Sequence, residues 1–135
     1  MFIANNLKKR VHENKPSLGV WLCLTDPAVA ELIGHAGYDF GIIDMEHGMA
    51  DMKDAVNMMR ALAAFETTAM IRVPGHDLNF VARIVDAGAQ TLMIPMVETA
   101  DQAREIVSAC RSPPLGKRGF AAGIVRASGY GNAGD

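Results

Sequence analysis

Four short apolar runs recur along the chain, each followed by a stretch whose apolar residues repeat with helical period. The runs cover residues 18–24 (LGVWLCL), 40–44 (FGIID), 69–73 (AMIRV) and 91–97 (TLMIPMV). None alternates polar with apolar positions. This predicts strands buried on both faces, as in a parallel sheet covered by helices. The intervening stretches carry helix start and stop signals. Asp26 precedes Pro27, and Val29, Leu32, Ile33 and Ala36 fall on one face before Gly37. Asp51 opens a second helix striped by Met52, Val56, Met59, Leu62 and Ala63. Asp77 opens a third, lined by Leu78, Val81, Ala82 and Val85 and ended by Gly88. Thr99 and Gln102 form a T-x-x-Q capping box for a fourth, lined by Ala103, Ile106, Val107 and Cys110 and stopped by Pro113-Pro114.

The order is therefore β-α-β-α-β-α-β-α, with strands starting 22, 29 and 22 residues apart. Such a rhythm implies parallel strands joined by right-handed crossovers. Residues 5–14 (NNLKKRVHEN) read as a short polar leading helix. Residues 115–135 hold six of the thirteen glycines and no period, and read as a Gly-rich loop or tail. Two architectures share this pattern. One is a four-stranded doubly wound sheet. The other is a (β/α)8 barrel, which needs about 250 residues, so that four units make half of one.

Composition narrows the function. Of 135 residues, 50% are hydrophobic and 21% charged, which excludes a disordered tail. Thirteen basic against fifteen acidic residues give a net charge of −2, without the basic excess of a nucleic-acid partner. No apolar run approaches the roughly 20 residues of a membrane helix, so no membrane partner is expected. The first ten residues lack the apolar core of a secretory signal, and two cysteines are too few for a disulfide framework. A cytoplasmic location is the expectation.

In parallel α/β folds the reactive groups sit at the carboxyl ends of strands. Those ends carry Asp44, Glu46 and His47 after the second strand, Arg72 at the third, and Pro95 and Glu98 at the fourth. Histidine exchanges protons near neutral pH, and a carboxylate three residues earlier, Asp44, can fix its tautomer. Glu46 is a further carboxylate in the same turn, suited to steady a metal-bound water or a neighbouring group, and Gly48 lets the chain turn sharply. Arg72 offers a bidentate donor to a substrate carboxylate or oxyanion. Each has a plainer reading. D-x-E-H is also the composition of a solvated turn, and an arginine at a strand end is also a structural ion-pair donor.

Elsewhere the plain reading prevails. His76 and Asp77 belong to a helix start, His35 to a helix end, and His12 to the surface. Met45, Met49, Met52, Met58 and Met59 read as core filling, and Cys23 and Cys110 as inert core residues. Lys117, Arg118 and Arg126 read as flexible surface charge.

Taken together, LGVWLCLTDPAVAELIGHAGYDFGIIDMEHG, IRVPG, DAGAQTLMIPMVETADQAREIVSACRSPPLGKRG and VRASGYG resemble the HpcH/HpaI aldolase family. These are class II pyruvate aldolases such as 4-hydroxy-2-oxoheptanedioate aldolase and 2-keto-3-deoxy sugar-acid aldolases. The resemblance runs from about Leu18 to Gly131. It implies a (β/α)8 TIM barrel, of which residues 1–135 supply the first four βα units as a single domain. It also implies a divalent metal of the Mg or Mn type, a homo-oligomer, and a small 2-oxo acid substrate. The implied reaction is cleavage of a 4-hydroxy-2-oxo acid to pyruvate and an aldehyde, or its reverse. By resemblance His47 is the acid/base residue, Asp44 pairs with it, and Arg72 binds the pyruvyl oxygens. A cation that holds the enolate makes a lysine Schiff base unnecessary, and no predicted strand ends in lysine. The family's two metal-binding carboxylates belong to strands that would follow residue 135, so no metal ligand is assigned here and this chain alone is expected to be inactive. The alternative is a catalytically inactive half-barrel that serves binding or association.

Overall fold

The computed structural model describes residues 4–132. Met1–Ile3 of the leading segment and residues 133–135 of the tail lie outside them. The elements are α1 (Asn6–His12), β1 (Gly19–Leu22), α2 (Pro27–His35), β2 (Phe40–Asp44), α3 (Met52–Leu62), β3 (Thr68–Arg72), α4 (Leu78–Asp86), β4 (Thr91–Met93) and α5 (Ala100–Cys110), with a 3₁₀ segment at Arg126–Gly131.

Helix starts follow the local chemistry. The Asp26 carboxylate accepts from the Ala28 amide, with Pro27 in the first turn. Asp51 and Asp54 form a reciprocal capping box for α3, and Thr99 and Gln102 form one for α5. Asp77 caps α4 through the Asn79 amide. Gly37 and Gly88, just past the ends of α2 and α4, take φ of +78° and +104°, a conformation that a β-carbon disfavours.

The strands form one parallel sheet in the order β1-β2-β3-β4. This order decides between the two architectures. Each right-handed crossover steps to the next strand in the same direction, so all the connecting helices fall on one face. A doubly wound sheet would reverse its order and place helices on both. The packing agrees: Leu22, Ile43 and Ile71 share a register row, and all three are buried in a core with Ala30, Ala55, Met58 and Leu62 of the helices. The next residues along each strand face the other way. Trp21, Ile42 and Met70 form one row of that second face, and Asp44, Arg72 and Met93 form another. No helix covers this face among the described residues, and Trp21 is 47% exposed. Ile42 and Asp44 on this face are nonetheless buried, so β2 meets the expectation of burial on both faces, whereas Trp21 of the edge strand β1 does not.

Strand lengths also differ from the expected ones. The β1 ladder ends at Leu22, paired with Ile43, so Cys23 lies beyond it and is exposed rather than a core residue. The β4 ladder stops at Met93; Pro95 has no N–H to extend it, and Met96 turns out at φ +53°. Among the methionines, Met45, Met58 and Met59 are buried, whereas Met49 is 81% exposed. Cys110 fits the expected inert role, and burial pushes its thiol pKa up.

Two terminal segments are tied down. Leu7 of α1 is buried and its amide donates to Thr68 Oγ1 at 3.1 Å, while the Asn5 side chain donates to Thr91 Oγ1 at 2.9 Å. The leading helix thus closes the amino ends of β3 and β4. The two arginines of the tail are not flexible surface charge either, while the Lys117 side chain is exposed as expected. Arg118 pairs with Asp86 of α4, Arg126 donates to the Ala87 carbonyl at 3.3 Å, and the Lys117 amide bonds to the Ser108 carbonyl at 2.8 Å.

Candidate active site

The parallel register sets Asp44, the last residue of β2, directly beside Arg72, the last residue of β3. Their side chains leave the sheet on the same face and meet. Arg72 Nε donates to Asp44 Oδ1 at 2.9 Å, and Nη2 to Oδ2 at 2.5 Å, a two-point fork. Asp44 Oδ1 also accepts the amides of Glu46 (3.0 Å) and His47 (3.2 Å), which folds the following turn around the carboxylate. Gly48 is required by that turn, because a β-carbon there would stand 2.4 Å from the Asp44 carbonyl oxygen.

The Asp44 side chain is 3% exposed. Burial alone would raise its pKa, but the Arg72 hydrogen bonds outweigh it. With the amides of His47 and Glu46 and the Arg72 charge, they hold the carboxyl far below the usual range. The same pair raises the Arg72 pKa, so the guanidinium stays charged. Glu46 approaches the other side of the guanidinium, with Oε2 3.1 Å from Nη1. Arg72 Cζ sits over the Trp21 ring, 4.4 Å from its centroid.

The structure therefore brings Asp44, Glu46 and Arg72 together, with His47 on the rim. One predicted pairing is corrected. Asp44 binds the main chain of His47, not its imidazole, because Arg72 and two amides already claim the carboxylate. The imidazole is 74% exposed, and its Nε2 lies 3.8 Å from Glu46 Oε1. Arg72 is likewise less open than expected. Its Nε/Nη2 edge belongs to Asp44 and one side of Nη1 faces Glu46, which leaves an incoming oxyanion the second N–H of each Nη. Glu98 is exposed, and its amide serves the α5 cap through Gln102 Oε1. No hydrogen bond or ion pair joins it to the cluster among the described residues.

Two neighbours escaped the reading of the sequence. Trp21 contacts Arg72 from two strands away, and Cys23 is exposed just past the end of β1, two residues further along. A signal for both was present. Counting by twos up β1 puts Trp21 and Cys23 on the face that Asp44 and Arg72 occupy.

Sequential parallel strands, helices on one face and a buried carboxylate–guanidinium pair at the carboxyl ends define half of a (β/α) barrel. Comparison with known proteins makes this specific. The HpcH/HpaI aldolase/citrate lyase family pattern matches residues 17–129, and the chain belongs to that family. It is 40% identical over 131 residues to the hydroxypyruvate/pyruvate aldolase of Agrobacterium fabrum, covering 97% of this chain and 49% of that protein. It is 46% identical over 129 residues to the 4-hydroxy-2-oxovalerate aldolase of Novosphingobium aromaticivorans, covering 95% and 48%. The crystal structure of an HpcH/HpaI aldolase/citrate lyase family protein from Burkholderia cenocepacia superposes with a TM-score of 0.89 at 43% identity, over 96% of this chain and 52% of that one. The chain spans about half the length of the curated relatives it matches.

Proposed function

We propose that this chain carries the oxyanion-binding and proton-transferring part of a class II, divalent-metal pyruvate aldolase. Its reaction is cleavage of a 4-hydroxy-2-oxo acid to pyruvate and an aldehyde, or the reverse, and the enzyme acts as a cytoplasmic homo-oligomer. The observation that carries the reading is the Arg72 guanidinium, locked by Asp44 at the carboxyl ends of adjacent strands, with one N–H on each of Nη1 and Nη2 that neither Asp44 nor Glu46 takes. The aldolase names of relatives 40% and 46% identical support it.

In the cleavage direction Arg72 binds an oxygen of the 2-oxo acid and stabilises the charge that builds there. His47 takes the proton of the C4 hydroxyl. The C3–C4 bond breaks, its electron pair enters the enolate, and the aldehyde leaves. Protonation at C3 then gives pyruvate. Glu46 lies between Arg72 and His47, with its Oε1 3.8 Å from the imidazole Nε2. Among the described residues, no group of three or more His, Cys, Asp or Glu could hold a metal ion, and Asp44 and Glu46 are engaged by Arg72. The residues present do not fit the divalent cation, so the steps assigned to this chain are oxyanion binding and proton transfer.

The test is pyruvate release from a 4-hydroxy-2-oxo acid with Mn²⁺, with and without EDTA. It is run on this chain alone and on this chain joined to the second half of a relative's barrel. Chelator-sensitive turnover of the joined protein, and none from the chain alone, is expected. Turnover that ignores EDTA would overturn the metal-dependent reading. No turnover in either would leave the inactive association module.

A further inference from the structure

We infer that Trp21 is a positioning residue for the oxyanion-binding arginine, its indole face setting the plane in which Arg72 presents its free N–H donors. The inference rests on the oxyanion role proposed for Arg72. The in-plane partners of the guanidinium are carboxylates: Asp44 on the Nε/Nη2 edge and Glu46 at Nη1. Contacts along the edges of a planar group fix its place in the plane and leave it free to rock out of it. The contact that opposes rocking is Trp21, whose ring centroid lies 4.4 Å from Cζ, well inside the range of about 6 Å over which a ring face attracts a cation.

Trp21 does not earn its place as a core residue. It is 47% exposed, while the core side of β1 is served by Leu22 at 3%. Trp21 stands on β1 and Arg72 on β3, with Asp44 on the strand between. Two long side chains therefore converge across the intervening strand, and the cation sits over the ring face. A guanidinium held on both edges and one face meets an oxyanion with little left to order, which is where affinity is gained.

Trp21 is the only tryptophan of the chain, so fluorinated tryptophans can be placed at this one position during expression. Successive fluorines drain the negative ring face and keep its shape. Two signals are read by NMR: solvent exchange of the Arg72 Nε proton, and the dissociation constant of oxalate as a dicarboxylate probe. Along the fluorine series both should rise steadily, by about fivefold overall, as expected of a cation–ring contact at a half-exposed site. Trp21→Leu should match the end of the series and Trp21→Phe should restore most of the effect. A packing role would leave the near-isosteric fluorinated proteins unchanged. Flat responses would overturn the inference, and so would Trp21→Phe behaving like Trp21→Leu. If the unsubstituted chain binds no oxalate, the oxyanion role of Arg72 fails, and proton exchange alone then decides whether Trp21 positions the guanidinium.

Discussion

Replacing Asp44 with Asn removes a charge at nearly constant shape, and the geometry gives the size of the effect. Asp44 accepts four hydrogen bonds, three on Oδ1 and one on Oδ2. An asparagine oxygen in the Oδ1 position keeps the first three. Its amide nitrogen then faces Arg72 Nη2, donor against donor. One charge-assisted bond at a side chain 3% exposed is lost, a cost of about 2–3 kcal/mol at pH 7. With a urea slope of about 2 kcal/mol/M, the unfolding midpoint should fall by about 1–1.5 M. The pH dependence separates charge from packing. The folded pKa of Asp44 lies below its unfolded value, so the stabilisation is complete above the ordinary carboxylate range and fades as pH falls through the folded value. The wild-type and Asp44→Asn stabilities should therefore differ most at neutral pH, and the difference should begin to shrink only once the pH falls below the ordinary carboxylate range. Urea melts at several pH values, followed by Trp21 emission and circular dichroism, read this directly. A deficit under about 0.5 kcal/mol at pH 7, or one that persists undiminished in strong acid, would refute the reasoning.

Gly48→Ala drives a β-carbon to 2.4 Å from a backbone oxygen, so the turn must open. The amide signals of Glu46 and His47 should shift and stability should drop by about 1–3 kcal/mol. His47 is 74% exposed, so His47→Ala should leave the melting temperature unchanged while lowering kcat of the complete aldolase by about 10²–10⁴. A loss under tenfold would remove it from proton transfer. Ile71 is fully buried in the sheet–helix core, and Ile71→Ala should cost about 2–5 kcal/mol by chemical denaturation. The exposed Leu115 changed to Ala should stay within about 0.5 kcal/mol.

Much of this was legible because helix signals are local. Asp26, Asp51, Asp77 and Thr99 each announce a helix within three residues of sequence, and all four cap one. What the chain does not announce is which distant groups compete for the same partner. Asp44 and His47 are three residues apart, which suggested an imidazole–carboxylate pair. Register instead delivers Arg72, 28 residues away, to the same carboxylate, and its two-point fork takes the place expected of the imidazole. Arg118 shows the same limit. In sequence it sits in a Gly-rich tail, and in space it finds Asp86, 32 residues back. Trp21 went unremarked because its neighbours are apolar, and its role depends on the side of β1 it occupies.

The Asp44–Arg72 pair bears on misfolding as well as on catalysis. Parallel strands of similar composition can slide past one another, and Ile42-Ile43 against Met70-Ile71 offers little preference among apolar partners. A slip of one residue between β2 and β3 would turn one member of the pair toward the helices, leaving a bare charge against Ile84 and Leu62. A slip of two would keep the faces and separate the partners. The penalty falls on every wrong alignment and spares the right one. A residue pair required at the site thereby also proofreads the sheet, and variants that remove its charges should show slower refolding and more aggregation, beyond what their lost stability alone predicts.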